Sequence, residues 1–250
     1  MTDQGVGGET GEAVTIDCHM HAGDFGHPFD VSLDPGQLAE VFTRNDISAG
    51  MVFCADNTLT LKVLGMIPQA WGFYWANPNR PGFVEEAADW LSNPRAKGVK
   101  LHPLLHAFHP SSPVLDPLMD LLAERGLPAL IHTGHPPVSE PLQAAGLIRR
   151  HPDVNVILGH AGHGNAFYIA DAISLAQQYP NVYLETSGMP MFTKIKEMER
   201  ACPGRTLFGS DVPFHTWAGE RDRVHASGLG PAEIEAVMGG NARRLLFLGQ

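Results

Sequence analysis

The sequence predicts a single-domain (β/α)8 TIM barrel, and three observations carry that reading. Eight short apolar runs, rich in β-branched residues, recur along the chain and alternate with stretches of helical period. No linker-like segment separates them. The first run ends in His-Met-His-Ala-Gly-Asp, residues 19–24. A doubly wound open sheet would instead be favoured by a Gly-rich G-x-G-x-x-G turn at that place.

The elements follow in order. Residues 1–13 are polar and Gly-rich, without the basic and apolar regions of a signal peptide. They are expected to form a flexible N-terminal tail ahead of a barrel over 14–250. Strands are expected near 14–21, 49–56, 71–76, 96–102, 128–133, 154–160, 181–186 and 206–211. Asp34 before Pro35 suits an N-cap followed by a proline in the first turn. The second helix, about 59–70, is interrupted by Gly65 and Pro68. Val84, Ala87, Ala88 and Leu91 show helical spacing. So do Leu115, Leu118, Met119 and Leu122, and later Ile169, Ala172, Ile173 and Ala176. In the third strand, Trp71, Phe73 and Trp75 alternate as packing residues do. Pro231 to Leu248 reads as one helix that closes the bottom or side of the barrel.

Composition narrows the function. With 250 residues, 44% of them hydrophobic, the chain can fill a large core. A net charge of −10 argues against a nucleic-acid partner. The three cysteines, Cys18, Cys54 and Cys202, give no disulfide framework and suit a reducing cytoplasm. No apolar run approaches the roughly 18 residues of a membrane span. A small-molecule substrate is the expected partner.

In such barrels the active site lies at the C-terminal ends of the strands. Those ends carry His19 and His21 on strand one, Lys100 and His102 on strand four, and His132 on strand five. Strands six, seven and eight supply His160, Glu185 and Asp211. Residues i and i+2 of a strand share a face, so His19 and His21 project side by side, while Cys18 is expected to face away. All these groups except the lysine can bind a metal or act as acid or base. One metal ion removes the cost of burying several of them. Three imidazoles and a carboxylate suit Zn²⁺, with Mn²⁺, Fe²⁺ or Co²⁺ as alternatives. His106, on the loop after strand four, is a further candidate for the substrate pocket.

The ordered motifs Asp-Cys-His-Met-His, Gly-Val-Lys-Leu-His-Pro, Leu-Ile-His-Thr-Gly, Leu-Gly-His-Ala-Gly, Leu-Glu-Thr-Ser-Gly and Phe-Gly-Ser-Asp-Val-Pro extend over nearly the whole chain. This set resembles the amidohydrolase superfamily. Within it, the resemblance is to the amidohydrolase-related branch that includes aminocarboxymuconate-semialdehyde decarboxylase and lactonase-type hydrolases. It implies that His19, His21, His132 and Asp211 hold one metal. His160 would be the catalytic histidine, with Asp211 sharing acid–base work. In binuclear relatives a strand-four lysine is carboxylated and bridges two metals; the reading favoured here is one metal. Lys100, His102, His106 and Glu185 are then expected to bind substrate. Dimers are common in this family, so a homodimer is a candidate assembly.

The leading expectation is metal-dependent hydrolysis of a small amide, lactone or ester. The alternative is non-oxidative decarboxylation on the same metal. An arginine clamp for a carboxylate would favour decarboxylation, but the arginines fall away from strand ends. A TatD-like nuclease and a non-catalytic binding barrel are the remaining readings. The acidic charge, and Gly-Ser-Asp on the last strand, count against the nuclease.

Overall fold

A computed structural model describes residues 14–248, so the expected tail over 1–13 lies outside the described residues. Each of the eight expected strands is present close to its expected position. In chain order the strands are β1 (Ile16–Met20), β2 (Gly23–Phe25), β3 (Val31–Leu33), β4 (Ala49–Val52) and β5 (Ala70–Ala76). They continue with β6 (Ala96–Leu101), β7 (Ala129–His132), β8 (Val156–Gly159), β9 (Val182–Glu185) and β10 (Thr206–Leu207). β2 and β3 form an antiparallel hairpin over the loop after β1, which the sequence reading missed. The others hydrogen-bond in the order β1-β4-β5-β6-β7-β8-β9-β10, each pair parallel.

The sheet closes where β1 meets the segment after β10. Cys18 N–H donates to the Phe208 carbonyl (2.8 Å), Asp211 N–H to the His19 carbonyl (2.7 Å) and His21 N–H to the Val212 carbonyl (2.9 Å). The last strand was expected over 206–211 but ends at Leu207. The amides beyond it turn elsewhere: Phe208 N–H to the Val237 carbonyl (3.1 Å) and Ser210 N–H to Asp17 Oδ1 (3.0 Å). The eight-stranded barrel is therefore a TIM barrel, with helices between its strands.

The helices are α1 (Pro35–Arg44), α2 (Asn57–Met66), α3 (Phe83–Trp90), α4 (Pro103–His106) and α5 (Asp116–Arg125). After them come α6 (Ala145–Arg150), α7 (Ala166–Gln178), α8 (Thr193–Ala201), α9 (Trp217–His225), α10 (Pro231–Glu235) and α11 (Asn241–Arg243). Asp34 caps α1 as expected, accepting from Gly36 N–H and Gln37 N–H while Gln37 returns a bond to Asp34 N–H. The apolar stripes of α5 and α7 are buried against the outside of the strands: Leu118, Met119 and Leu122 on α5, Ile169, Ala172 and Ala176 on α7. No helix among the described residues is long and apolar enough to cross a membrane.

The barrel interior is a second apolar cluster. Met51, Phe53, Phe73, Leu130 and Ile157 fill it, and Ala242, Leu245 and Leu246 of the last helical segment plug it from the N-terminal end. Cys18 belongs to this cluster, contrary to the expectation that it faces away from the histidines. The pairing of β1 with β4 shifts register between Asp17 and Met20, which breaks the simple alternation. The expected helix over Pro231–Leu248 is one continuous helical rod interrupted by π turns at Ala236–Gly240 and Arg244–Leu248. At the first π turn, Gly239 lies backbone to backbone against Val14, and an added Cβ would overlap the Val14 carbonyl oxygen.

That contact generates a stability prediction. Gly239→Ala should destabilise the fold by about 3 kcal/mol, because a backbone atom cannot move aside cheaply. Gly65→Ala on α2, where an added Cβ meets nothing within 4 Å, should stabilise by about 0.5–1 kcal/mol. Denaturant melts of both variants check the pair.

Candidate metal centre

The strand ends bring together most of the expected residues. His21 Nε2 lies 3.1 Å from Asp211 Oδ1, and His19 Nε2 lies 3.4 Å from the same oxygen. These three side chains are buried, and their ligand atoms lie within 4.8 Å of one another. The proton positions follow from the partners behind them. His21 Nδ1 meets the Phe53 carbonyl at 2.9 Å, an acceptor only, so Nδ1 carries the proton and Nε2 a lone pair. His19 Nδ1 meets Glu185 Oε2 at 2.7 Å, and Lys100 Nζ donates toward His19 Nε2 at 3.4 Å, which again makes Nε2 an acceptor. Two imidazole lone pairs and a carboxylate oxygen therefore face one another out of water. That arrangement fits a divalent cation with nitrogen and oxygen ligands.

Asp211 and His160 reach the centre through unusual backbone. Both have left-handed φ, 56° and 64°, as does Ala161 at 42°. A non-glycine residue there is strained, and the surrounding hydrogen bonds hold it. The His160 N–H donates to Glu185 Oε2 at 3.0 Å.

Glu185 was expected to touch substrate. The structure instead seals it behind His19, where its oxygens accept from His19 Nδ1, the His160 N–H, the Ser187 N–H and Ser187 Oγ. Gly209 leaves the room it needs, since a Cβ there would overlap Oε1. Burial pushes the Glu185 carboxyl up to about 8, against the pull of the His160 and Ser187 hydrogen bonds. Lys100 is also sealed, its ammonium 4.7 Å above the Phe53 ring. Burial lowers it to about 7, against the attraction of Asp211 and Glu185.

His132 lies outside both three-residue groups able to grip an ion, which are His19–His21–Asp211 and His19–His160–Glu185. It joins a chain of imidazoles. Ser187 Oγ donates to Glu185 Oε2 (2.9 Å), so it accepts from His160 Nδ1 at 2.8 Å. His160 Nε2 is then an acceptor for His132 Nδ1 (3.0 Å), and His132 Nε2 for His135 Nδ1 (3.1 Å). The donors all run one way, from the exposed His135 to the buried Glu185. His102 stacks between His132 (3.9 Å) and Trp75 (5.7 Å) and accepts from Leu105 N–H through Nδ1. His106 stands against Trp75 and lines a pocket of about 80 Å³ with Asn57, Asn77 and Arg80. A groove of about 370 Å³ runs along α9 and includes His215, whose Nε2 is 3.9 Å from Asp211 Oδ2.

Sequence reasoning missed Ser187 and Asp17 as parts of the site. Both stood inside the quoted motifs, Leu-Glu-Thr-Ser-Gly and Asp-Cys-His-Met-His. Asp17 Oδ1 accepts from the His19 and Ser210 amides, tying β1 to the segment after β10; burial pushes its carboxyl up to about 7.

The chain resembles known proteins in both family and fold. The amidohydrolase family model matches residues 16–248. Gamma-resorcylate decarboxylase of Rhizobium sp. (strain MTP-10005) is 30% identical over 125 residues, 43% of this chain and 38% of that protein, so the match spans less than half of the relative. A 2,6-dihydroxybenzoate decarboxylase solved with 2,6-dihydroxybenzoate superposes with a TM-score of 0.77 at 15% identity, covering 95% of this chain and 99% of that one. The 5-carboxyvanillate decarboxylase of Novosphingobium aromaticivorans, solved with manganese and 4-hydroxy-3-methoxy-5-nitrobenzoic acid, gives 0.74 at 14% identity, covering 98% and 99%. The chain belongs to the amidohydrolase family and is an enzyme of that superfamily. The expectation of hydrolysis is corrected: the sequence relative and both structural neighbours are decarboxylases.

The buried imidazoles set a pH dependence for the metal-free protein. Burial, followed by neighbouring charges, holds His19, His132 and His160 well below the usual range, His102 at about 2 and His163 at about 4. Unfolded, each takes a proton near 6.5. The unfolded state thus binds more protons below pH 6.5, and stability falls as pH drops from there toward the folded values. Each such histidine adds about 1.4 kcal/mol per pH unit to the slope. His102→Gln should remove one share between about pH 4 and 6. Denaturant titrations across that range, with an unchanged slope as the contrary result, check it.

Proposed function

We propose that this chain is a metal-dependent, non-oxidative decarboxylase of a small hydroxylated aromatic carboxylic acid. The observation that carries the reading is the buried convergence of His19, His21 and Asp211 as acceptors around one point. The decarboxylases among its relatives supply the reaction class. His19, His21 and Asp211 would hold the ion, and the motif order assigns His132 a fourth position, its Nε2 lone pair being available once it leaves His135. Manganese is the ion bound by a structural neighbour, and zinc suits the same donors. When bound, the ion supplies Lewis acidity toward the substrate's oxygens.

The chain's own groups then do the rest. Glu185 holds the His19 ring with its lone pair outward. Lys100, next to that lone pair, would yield it to the ion. The edges of the His132–His102–Trp75 stack would border the substrate's aromatic ring. His106 would line, with Trp75, the adjoining pocket of about 80 Å³. In the reaction the ring–carboxylate bond breaks, its electron pair stays on the ring carbon, and a proton replaces the departing CO₂. Asp211 and His160 are the groups that would carry that proton. The three free cysteines support a reducing compartment, the cytoplasm. A homodimer is the assembly expected from the family.

Two outcomes are expected. Protein loaded with Mn²⁺ or Zn²⁺ should release CO₂ from a hydroxylated benzoate, followed by trapping of the gas and chromatography of the phenol. Asp211→Asn and His160→Asn should each lower kcat by roughly 10²–10⁴-fold. No CO₂ from any such acid with full metal occupancy would sink the reading. Separately, stripping the metal with a chelator should lower Tm, and restoring the ion at about a hundred times its Kd should regain about 2.7 kcal/mol; calorimetric scans measure it.

A further inference from the structure

The loop after β8 carries a second imidazole to the mouth of the barrel. The His163 ring stacks on the His160 ring at 4.4 Å, with 16° between the planes. Two left-handed glycines make its space. A Cβ at Gly134 (φ 115°) would lie 2.6 Å from His163 Cδ2, and one at Gly188 (φ 68°) would lie 2.6 Å from His163 Nδ1. The Gly188 carbonyl accepts a hydrogen bond from the ring, and Nδ1 is the ring atom turned toward Gly188. That places the proton on Nδ1 and leaves Nε2 as an acceptor. Burial, the largest influence on the ring, lowers it to about 4, so it is neutral at pH 7. Nε2 is buried and has no hydrogen-bond partner among the described residues.

The stack tells where this lone pair points. His160 Nδ1 is bonded to Ser187 and His163 Nδ1 lies against Gly188, so both rings anchor the same edge on one loop. In near-parallel rings the opposite edges then run the same way. His160 Nε2 faces His132, and the His163 edge faces Gly134, with the His135 ring perpendicular at 4.9 Å. The unused acceptor therefore lies at the strand ends, one ring above the His132–His160 pair, buried and with its hydrogen-bonding capacity unmet among the described residues.

A buried acceptor is satisfied by a donor, and a carboxylate has none to give. An ether oxygen or a bare ring carbon fails in the same way. We propose that His163 Nε2 is a specificity-determining acceptor for a hydroxyl group of the substrate, selecting hydroxylated aromatic acids over their ethers. This rests on the decarboxylase reading above and names the feature of the substrate that the site selects.

The test is binding, read by calorimetry on Mn²⁺-loaded protein, of 2-, 3- and 4-hydroxybenzoate and their methyl ethers. In the wild type, at one ring position, the hydroxyl compound should bind about tenfold tighter than its ether. In His163→Leu that hydroxyl-over-ether preference should shrink by about tenfold, and His163→Gln, whose amide oxygen accepts, should recover part of the difference. Contact of a hydroxyl with the metal is common to both proteins and cancels in the comparison. If the leucine variant does not fold, His163→Phe keeps the stack on His160 and carries the same comparison. Equal preference in wild type and variant at every position overturns the inference alone. Failure of the wild type to bind any of these acids overturns the decarboxylase reading, and this inference with it.

Discussion

The site depends on an electrostatic conflict. Two imidazole lone pairs are held 3.1 and 3.4 Å from one carboxylate oxygen, and all three side chains are buried. Left alone, such acceptors repel one another, and Lys100 Nζ, 3.4 Å from His19 Nε2, offsets this only in part. The chain answers with position rather than with composition. Behind each imidazole stands a group that fixes its orientation, the Phe53 carbonyl for His21 and Glu185 for His19. The barrel must be rigid enough to hold these groups in opposition until a cation arrives. The packed interior of Met51, Phe53, Phe73 and Ile157 directly beneath provides that rigidity.

Much of this was legible in the chain. The period of the apolar runs gave eight strands and their parallel order, because a strand buried on both faces reads as a short continuous hydrophobic stretch. The i, i+2 spacing of His19 and His21 placed them together, since β1 resumes its alternation beyond the register shift. Asp211 was readable from its place at the end of the last run.

Other features were not legible, for physical reasons. The roles of Glu185 and Lys100 depend on depth below the rim, which strand periodicity does not encode; both lie one layer too deep to touch a ligand freely. The hairpin of β2 and β3 is too short to leave a periodic signature. The facing of Cys18 turned on a register shift that no local pattern announces. The reaction itself was misjudged because the first coordination groups are common to two chemistries, so the strand-end residues alone do not distinguish them.

The one-way run of donors from His135 through His132, His160 and Ser187 to Glu185 has a further consequence. Each member is polarised by the one before it, and none can reverse alone without setting two protons or two lone pairs face to face. Drawing the His132 Nε2 lone pair away to an ion would release only His135, leaving the inner members still aimed at the carboxylate that orients His19.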